Sequence, residues 1–124
     1  MTSPMQRTIK VLKNQNIPYW IVERFIPGKP FGKRVDLFHI IDLLALDSGI
    51  IGVQICGSDF ASHKTKIMES EKTNTINWLE NGGRLECWGW REIKKKRGMK
   101  AKHWVPRIAD VLIVNKELYW EERK

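Results

Sequence analysis

The sequence predicts an α/β fold in which helices flank a mixed β-sheet. Two apolar runs, at 40–46 and 50–56, are separated by the turn signal Asp47-Ser48-Gly49 and predict an antiparallel hairpin. The helical patterns between 60 and 81 are long enough for a crossover to a parallel strand. We therefore expect a mixed sheet flanked by helices in one domain, residues 1–124, with the order α-β-β-β-α-α-β-β.

The first half of the chain carries clear boundaries. Ser3 is a candidate N-cap and Pro4 suits the first helical position, which predicts a helix to about Asn16. Pro18 ends that helix, and a strand is expected from 19 to 25. The next segment, 27–33, is a loop by its Pro and Gly content.

The second half is predicted to return to the sheet after the helices. Asp59 or Ser58 can cap a helix, and the later glycines Gly82 and Gly83 end a second one. The predicted elements are helices at 60–71 and 73–81, strands at 85–90 and within 104–114, and a short helix at 116–124.

Composition limits the class of protein. The chain has 124 residues, a net charge of +8 and two cysteines without CxxC spacing, which indicate core thiols and no disulfide or zinc framework. No run approaches 18 apolar residues, and the N-terminus lacks a signal-peptide pattern. We expect a soluble cytoplasmic or otherwise intracellular protein with no membrane partner.

The positive charge is concentrated in one segment. Residues 84–107 hold nine Lys or Arg and two Glu, which accounts for +7 of the total of +8. Such a segment favours a polyanionic partner, most simply DNA, although a solvated basic loop is the alternative. The residues expected to contact nucleic acid are Lys94, Lys95, Lys96, Arg97, Lys100 and Lys102.

A carboxylate interrupts the first apolar run at Asp42. A three-residue loop at 47–49, with Gly49 in a left-handed conformation, would place Asp42 opposite Gln54 on the same face of the sheet. A buried carboxylate needs compensation, and two converging oxygen-bearing groups are typical of a divalent-cation site. The alternative is an Asp42 capped by backbone amides or paired with Arg34 or His39, with Gln54 bonded to backbone.

Several polar stretches follow one another along the chain: Arg34-Val35-Asp36, Asp42-Leu43-Leu44-Ala45-Leu46, Val53-Gln54-Ile55-Cys56 and His63-Lys64-Thr65-Lys66-Ile67. In this order they resemble the PD-(D/E)xK nuclease superfamily, and they are most similar to its small Holliday-junction-resolvase-like and phage-type members. The resemblance extends more weakly to Trp78-Leu79, Gly82-Gly83 and Trp88-Gly89-Trp90-Arg91. The resemblance implies a restriction-endonuclease-like mixed sheet flanked by helices. It also implies that Asp42 and Gln54 bind a catalytic Mg²⁺ or Mn²⁺.

Two positions depart from the superfamily pattern. A catalytic Lys is expected two residues after Gln54, where this chain has Cys56, so the basic group is expected on the following helix as Lys64 or Lys66. The first helix has Gln6 where many resolvases carry a metal-binding Glu, which leaves Glu23 and Asp36 to complete the metal site.

The resemblance implies a metal-dependent DNA endonuclease that hydrolyses phosphodiester bonds, with branched or otherwise structured DNA as a substrate. The loss of the strand Lys favours the alternative, a catalytically weakened nucleic-acid-binding domain of the same fold. A protein-interaction subunit of a phage or mobile-element complex is a third interpretation. Many resolvase-like nucleases are homodimers, but the sequence itself indicates no interface.

Overall fold

A six-stranded mixed sheet with helices on both faces forms the centre of the computed structural model, which describes residues 2–29, 31–94 and 102–124. The mixed α/β class agrees with the sequence prediction. The helical elements are α1 (Pro4–Asn14), α2 (Phe60–Thr65), the π-helical segment (Lys66–Ser70) and α3 (Lys72–Glu80). Within the described ranges, none of the helices has the length and hydrophobicity that a membrane span requires.

The strands form two sheets. The main sheet has the order β1-β4-β5-β6-β7-β8, in which β5 and β6 are parallel and every other pair is antiparallel. Strands β2 and β3 form a separate two-stranded ribbon. The bounds are β1 (Tyr19–Ile21), β2 (Arg24–Ile26), β3 (Lys33–Val35), β4 (Leu43–Leu46), β5 (Ile50–Cys56), β6 (Arg84–Lys94), β7 (Lys102–Val114) and β8 (Glu117–Glu122).

The predicted hairpin register is confirmed. Leu46 pairs with Ile50 and Leu44 pairs with Gly52. The loop adopts positive φ at Ser48 (54°) and at Gly49 (130°). The crossover from β5 through α2 and α3 to β6 is also confirmed, since β5 and β6 are parallel.

Each face of the sheet has its own apolar core. The even-numbered Trp88 and Trp90 of β6 pack with Leu12 of α1 on one face, and the odd-numbered Leu85 and Cys87 pack with the α2–α3 layer on the other. The strand predicted at 85–90 is therefore present, with alternate residues on opposite faces. Trp90 also donates to the buried Thr8 Oγ1 at 2.9 Å, which fixes α1 on its face.

Three sequence predictions are wrong in detail. The strand expected at 19–25 is divided into β1 and β2, and the helix expected at 60–71 becomes α-helical and then π-helical after Thr65. The apolar run expected as a strand from Ile40 starts only at Leu43. Ile40 and Ile41 lie in a turn, fully buried, because Phe38 and His39 adopt φ of 53° and 62° and reverse the chain.

The predicted helix at 116–124 is also wrong, because this segment is β8. Asn115 and Lys116 both have positive φ, 51° and 65°, as the two central residues of a primed hairpin turn do. Leu118 and Trp120 then alternate toward the core while their neighbours are exposed. Apolar residues at every second position, directly after a hairpin turn, therefore make this segment a strand and not a helix.

Candidate metal centre

The hairpin joins Asp42 and Gln54 directly. Gln54 Nε2 donates to Asp42 Oδ2 at 2.6 Å, and the backbone N–H of Ile55 donates to the same oxygen at 2.8 Å. Asp42 is 5% exposed and Gln54 is 1% exposed. Both donors bind one carboxylate oxygen, which fixes the orientation of Asp42 directly before β4.

Backbone contacts bring two more carboxylates to the same place. The carbonyl oxygen of Asp42 accepts from the N–H groups of Val22 and Glu23, each at 3.0 Å, where the chain leaves β1. Asp36 precedes the tight turn at 37–41, and its carbonyl accepts from the N–H of His39 at 3.1 Å. The carboxylate oxygens of Glu23, Asp36 and Asp42 consequently lie within 4.8 Å of one another.

One of the two candidate lysines reaches this cluster. Lys66 Nζ donates to Asp36 Oδ2 at 3.0 Å. Lys64 lies elsewhere, with its Nζ 5.6 Å from the centre of the Trp120 ring. Lys66 begins the π-helical segment, and such insertions in helices are frequent at functional sites.

The cluster carries more negative than positive charge. Three carboxylates face two cationic side chains, because Arg34 pairs with Glu23 at 3.3 Å and Lys66 pairs with Asp36 at 3.0 Å. With all groups ionised, Asp42 is the carboxylate left without a cationic partner among these contacts. A divalent cation or a proton would compensate it.

The pKa values express the same imbalance. Burial, followed by the adjacent Asp36 carboxyl, raises the pKa of Asp42 to about 8. Burial also opposes ionisation of Asp36, but its hydrogen bonds with Asp42 and Lys66 hold the pKa of Asp36 below its ordinary value. When no metal ion is bound, these shifts favour one proton on the pair, held by Asp42.

Gln54 differs from the sequence prediction in the atom it presents. Its Nε2 faces the carboxylates, at 2.6 Å from Asp42 Oδ2 and 3.5 Å from Asp36 Oδ2. Its Oε1 is buried and has no hydrogen-bond partner among the described residues. Rotation of the terminal amide would turn Oε1 toward the cluster. A bound metal ion would favour this orientation, because it attracts the amide oxygen, whereas carboxylates without a metal ion repel that oxygen.

The cluster opens into a cavity of about 320 Å³. Its walls include the start of α1 at Ser3 and Met5, the Arg34 side chain, and Cys56 with His63 on the opposite side. Carboxylate and amide oxygens are the ligands that Mg²⁺ and Mn²⁺ prefer, and Mg²⁺ keeps several waters. The donor set and the space therefore fit such an ion.

The basic segment is only partly described. Lys95, Lys96, Arg97 and Lys100 lie outside the described residues, and Lys94 and Lys102 pair through their backbones at the ends of β6 and β7. Two other cations of the segment have intramolecular partners. Arg84 donates to the Asp47 carbonyl at 2.6 Å, and Arg107 donates to Glu122 at 2.7 and 3.1 Å.

Sequence reasoning missed two features of this site. The Arg34–Glu23 ion pair arises from the β2–β3 ribbon, whose pairing the Pro- and Gly-rich loop did not reveal. The left-handed turn at Phe38 and His39 has no glycine to signal it. In the sequence, the only sign of the Arg34–Glu23 ion pair was the positive charge of Arg34, two residues before Asp36.

Comparison of the chain with protein-family models, curated proteins and solved structures finds no match.

Proposed function

We propose that this protein is a divalent-metal-dependent endonuclease that hydrolyses phosphodiester bonds in DNA. The observation that carries the proposal is the convergence of Glu23, Asp36 and Asp42 on one cavity from three separate segments, with Lys66 of a fourth segment bonded to Asp36. Three carboxylates at this separation are unfavourable for folding alone, so a function that needs a cation accounts for them.

Asp42, Asp36, Glu23 and the Oε1 of Gln54 are the groups that would hold Mg²⁺ or Mn²⁺. When bound, the ion would neutralise charge on the scissile phosphate and lower the pKa of a water molecule. The hydrogen bond from the Ile55 N–H holds Asp42 in place before the ion arrives, whereas the Gln54 amide would have to rotate to present Oε1.

Lys66 and Arg34 supply the positive charge that Cys56 cannot. The Lys66 side chain is 34% exposed while its ammonium is bonded to Asp36, so it could contact both the cluster and a substrate phosphate. Arg34 is 78% exposed at its side chain and lines the same cavity. Both can stabilise the negative charge that develops on a phosphate during hydrolysis.

The DNA part of the proposal depends on the charge distribution. The segment 84–107 carries most of the net positive charge. Next to the strands that bear it, Arg7 stacks on Trp104 at 3.8 Å and, with Lys10, lines a cavity of about 630 Å³. Cations interleaved with an exposed aromatic ring are typical of nucleic-acid-binding surfaces.

The test is cleavage of a four-way junction and of its linear duplex arms with Mg²⁺, with Mn²⁺ and with EDTA. We expect cleavage only with metal, and its loss in Asp42→Asn with DNA binding retained. Asp47→Asn is the matched control, because it makes the same substitution in the exposed loop of the same hairpin. Equal activity in the two variants would contradict the proposal.

The second candidate function is a nucleic-acid-binding domain that no longer cleaves. The observation favouring it is Cys56, a buried thiol where the superfamily pattern places Lys. This candidate predicts DNA binding without cleavage and no Mg²⁺-induced shift of the Ile55 amide resonance in NMR spectra. A shift of that resonance together with cleavage would exclude it.

A further inference from the structure

A second group of potential metal ligands lies at the end of β5. Cys56, Asp59 and His63 each offer one ligand atom, and these atoms lie within 4.8 Å of one another. Cys56 is 5% exposed, and His63 is about one-fifth exposed at its side chain. The group differs in chemistry from the carboxylate cluster because it combines sulfur, nitrogen and oxygen.

We propose that Cys56, Asp59 and His63 bind a transition-metal ion, with Zn²⁺ as the physiological candidate. Zinc accepts Cys sulfur, His nitrogen and carboxylate oxygen at about 2.0–2.3 Å in tetrahedral geometry, so its ligand atoms are roughly 3.3–3.8 Å apart. The observed separations fall within reach of that arrangement after small side-chain rotations. Three protein ligands leave the fourth position for water or another ligand.

The backbone holds the three residues in place. Cys56 ends β5, and α2 begins at Phe60 after the short bend 57–59. Phe60 packs over Gly89 so closely that a Cβ at Gly89 would lie 2.3 Å from the ring. This contact presses the start of α2 onto the sheet and keeps His63, one turn along, beside the Cys56 sulfur.

Two details go beyond an ordinary ion pair. His63 Nε2 lies 3.1 Å from Asp59 Oδ2, a spacing that a helical i, i+4 pair would produce without any metal. That pair does not require a sulfur atom beside it, and it leaves His63 Nδ1 buried without a hydrogen-bond partner among the described residues. A metal ion would use the sulfur and reorient the imidazole.

The two ligand groups select different ions. Thiolate and imidazole favour zinc and related metals, whereas the three carboxylates favour magnesium and manganese. Cys56 and His63 line the same cavity as Asp36 and Asp42, so both ions would face one space. Zinc binding converts the Cys56 thiol to a thiolate and releases its proton to solvent. Metal binding at this site can be measured directly, without any nuclease activity.

The experiment is a Co²⁺ titration of the full chain, followed by absorption, with Zn²⁺ as the competitor. A thiolate-to-cobalt charge-transfer band in the near ultraviolet should saturate at one ion per chain, and Zn²⁺ should remove it while excess Mg²⁺ should not. Cys56→Ser should abolish the band. Cys87→Ser is the matched control, because Cys87 is the other thiol and is fully buried, and it should retain the band.

Two further variants separate this site from its neighbours. His63→Gln should weaken Co²⁺ binding by roughly 10–100-fold, and it tests the site even if Cys56→Ser fails to fold. Asp42→Asn should leave the band unchanged. Absence of a charge-transfer band in the wild type would overturn the proposal. So would a band that survives Cys56→Ser, that depends on Cys87, or that disappears in Asp42→Asn.

Discussion

Asp42→Asn is expected to stabilise the metal-free protein while it removes a ligand of the proposed metal site. The pKa of Asp42 is raised from 3.8 to about 8, mainly by burial. Between these values the folded protein holds a proton that the unfolded chain has released. The free energy of unfolding therefore falls as pH rises, by about 1.4 kcal/mol per pH unit.

The magnitude at neutral pH follows from this slope. From pH 3.8 to pH 7 the free energy of unfolding decreases by roughly 3–5 kcal/mol through Asp42. The lowered pKa of Asp36 acts oppositely: its stabilising contribution is complete above the ordinary value of 3.8 and is lost only at lower pH. The dependence on pH between 5 and 8 is therefore set within this pair by Asp42.

Asn at position 42 is neutral at every pH, and its oxygen can still accept from Ile55 and Gln54. We expect Asp42→Asn to be more stable than the wild type by roughly 2–4 kcal/mol at pH 7.5 in EDTA, since rearrangement of the new amide offsets part of the gain. Near pH 5 the difference should shrink. Saturating Mg²⁺ should stabilise only the wild type, by mass action.

The assay is urea unfolding followed by tryptophan fluorescence, at pH 5 to 8, with EDTA or Mg²⁺. The wild type and the variant share all other titratable groups, so the difference between their unfolding free energies reports Asp42 together with its coupling to Asp36. Asp47→Asn provides the control for loss of one exposed charge. A difference that is independent of pH, or a variant less stable than the wild type at pH 7.5 in EDTA, would refute the reasoning.

Four further predictions concern the proposed activity. In single-turnover assays, Lys66→Met should lower the cleavage rate at least tenfold, because Lys66 is bonded to Asp36. Lys64→Met should change the rate less than twofold, because Lys64 lies over the Trp120 ring, away from the cluster. Cys56→Ala should change the rate little, and Cys56→Lys should raise it if the strand position is still competent; equal rates for both would show that Lys66 has replaced the strand lysine. Gln54→Glu, which places a fourth carboxylate 2.6 Å from Asp42 Oδ2, should destabilise the metal-free protein and tighten Mg²⁺ binding, as measured by calorimetry. Neutralising Lys94, Lys95 and Lys96 together to Gln should flatten the dependence of log affinity for DNA on log salt, whereas neutralising the exposed Lys72, Lys116 and Lys124 should not.

The hairpin and its site pair were predictable because local rules determine them. A three-residue turn with Gly49 fixes the register, and the period of two then forces Asp42 and Gln54 to the same face. The capping residues of α1 were equally local: Ser3 accepts from the Gln6 N–H, and Gln6 returns a bond to the Ser3 N–H. Such features need no knowledge of distant packing.

The remaining site contacts depend on tertiary structure. Glu23 reaches the cluster only because its N–H and that of Val22 bond to the Asp42 carbonyl, which divides the predicted strand. The left-handed conformations of Phe38 and His39 cost conformational free energy, and the complete burial of Ile40 and Ile41 offsets that cost. The position of Lys66 directly before the apolar Ile67 favours it only slightly over Lys64 in the sequence, and the structure bonds Lys66, at the start of the π-helical segment, to Asp36.

The two departures from the superfamily pattern are best understood together. That pattern, which this chain resembles, places an Asp, then a Glu, Asp or Gln, and then a Lys on the hairpin, and many resolvases add a Glu on the first helix. Here Cys56 stands at the Lys position and Gln6 at the helix Glu position, but Asp36 and Lys66 lie 3.0 Å apart at the same cluster. A carboxylate and an ammonium have thus been supplied from a turn and a helix. In the proposed function, Asp36 and Lys66 provide the acid and the ammonium that these two positions lack, because a metal-dependent site requires a particular balance of charge at one point and not a particular strand to provide it. With Lys66 as the proposed cation, position 56 is free to carry a thiol, and that thiol is available to the proposed zinc site.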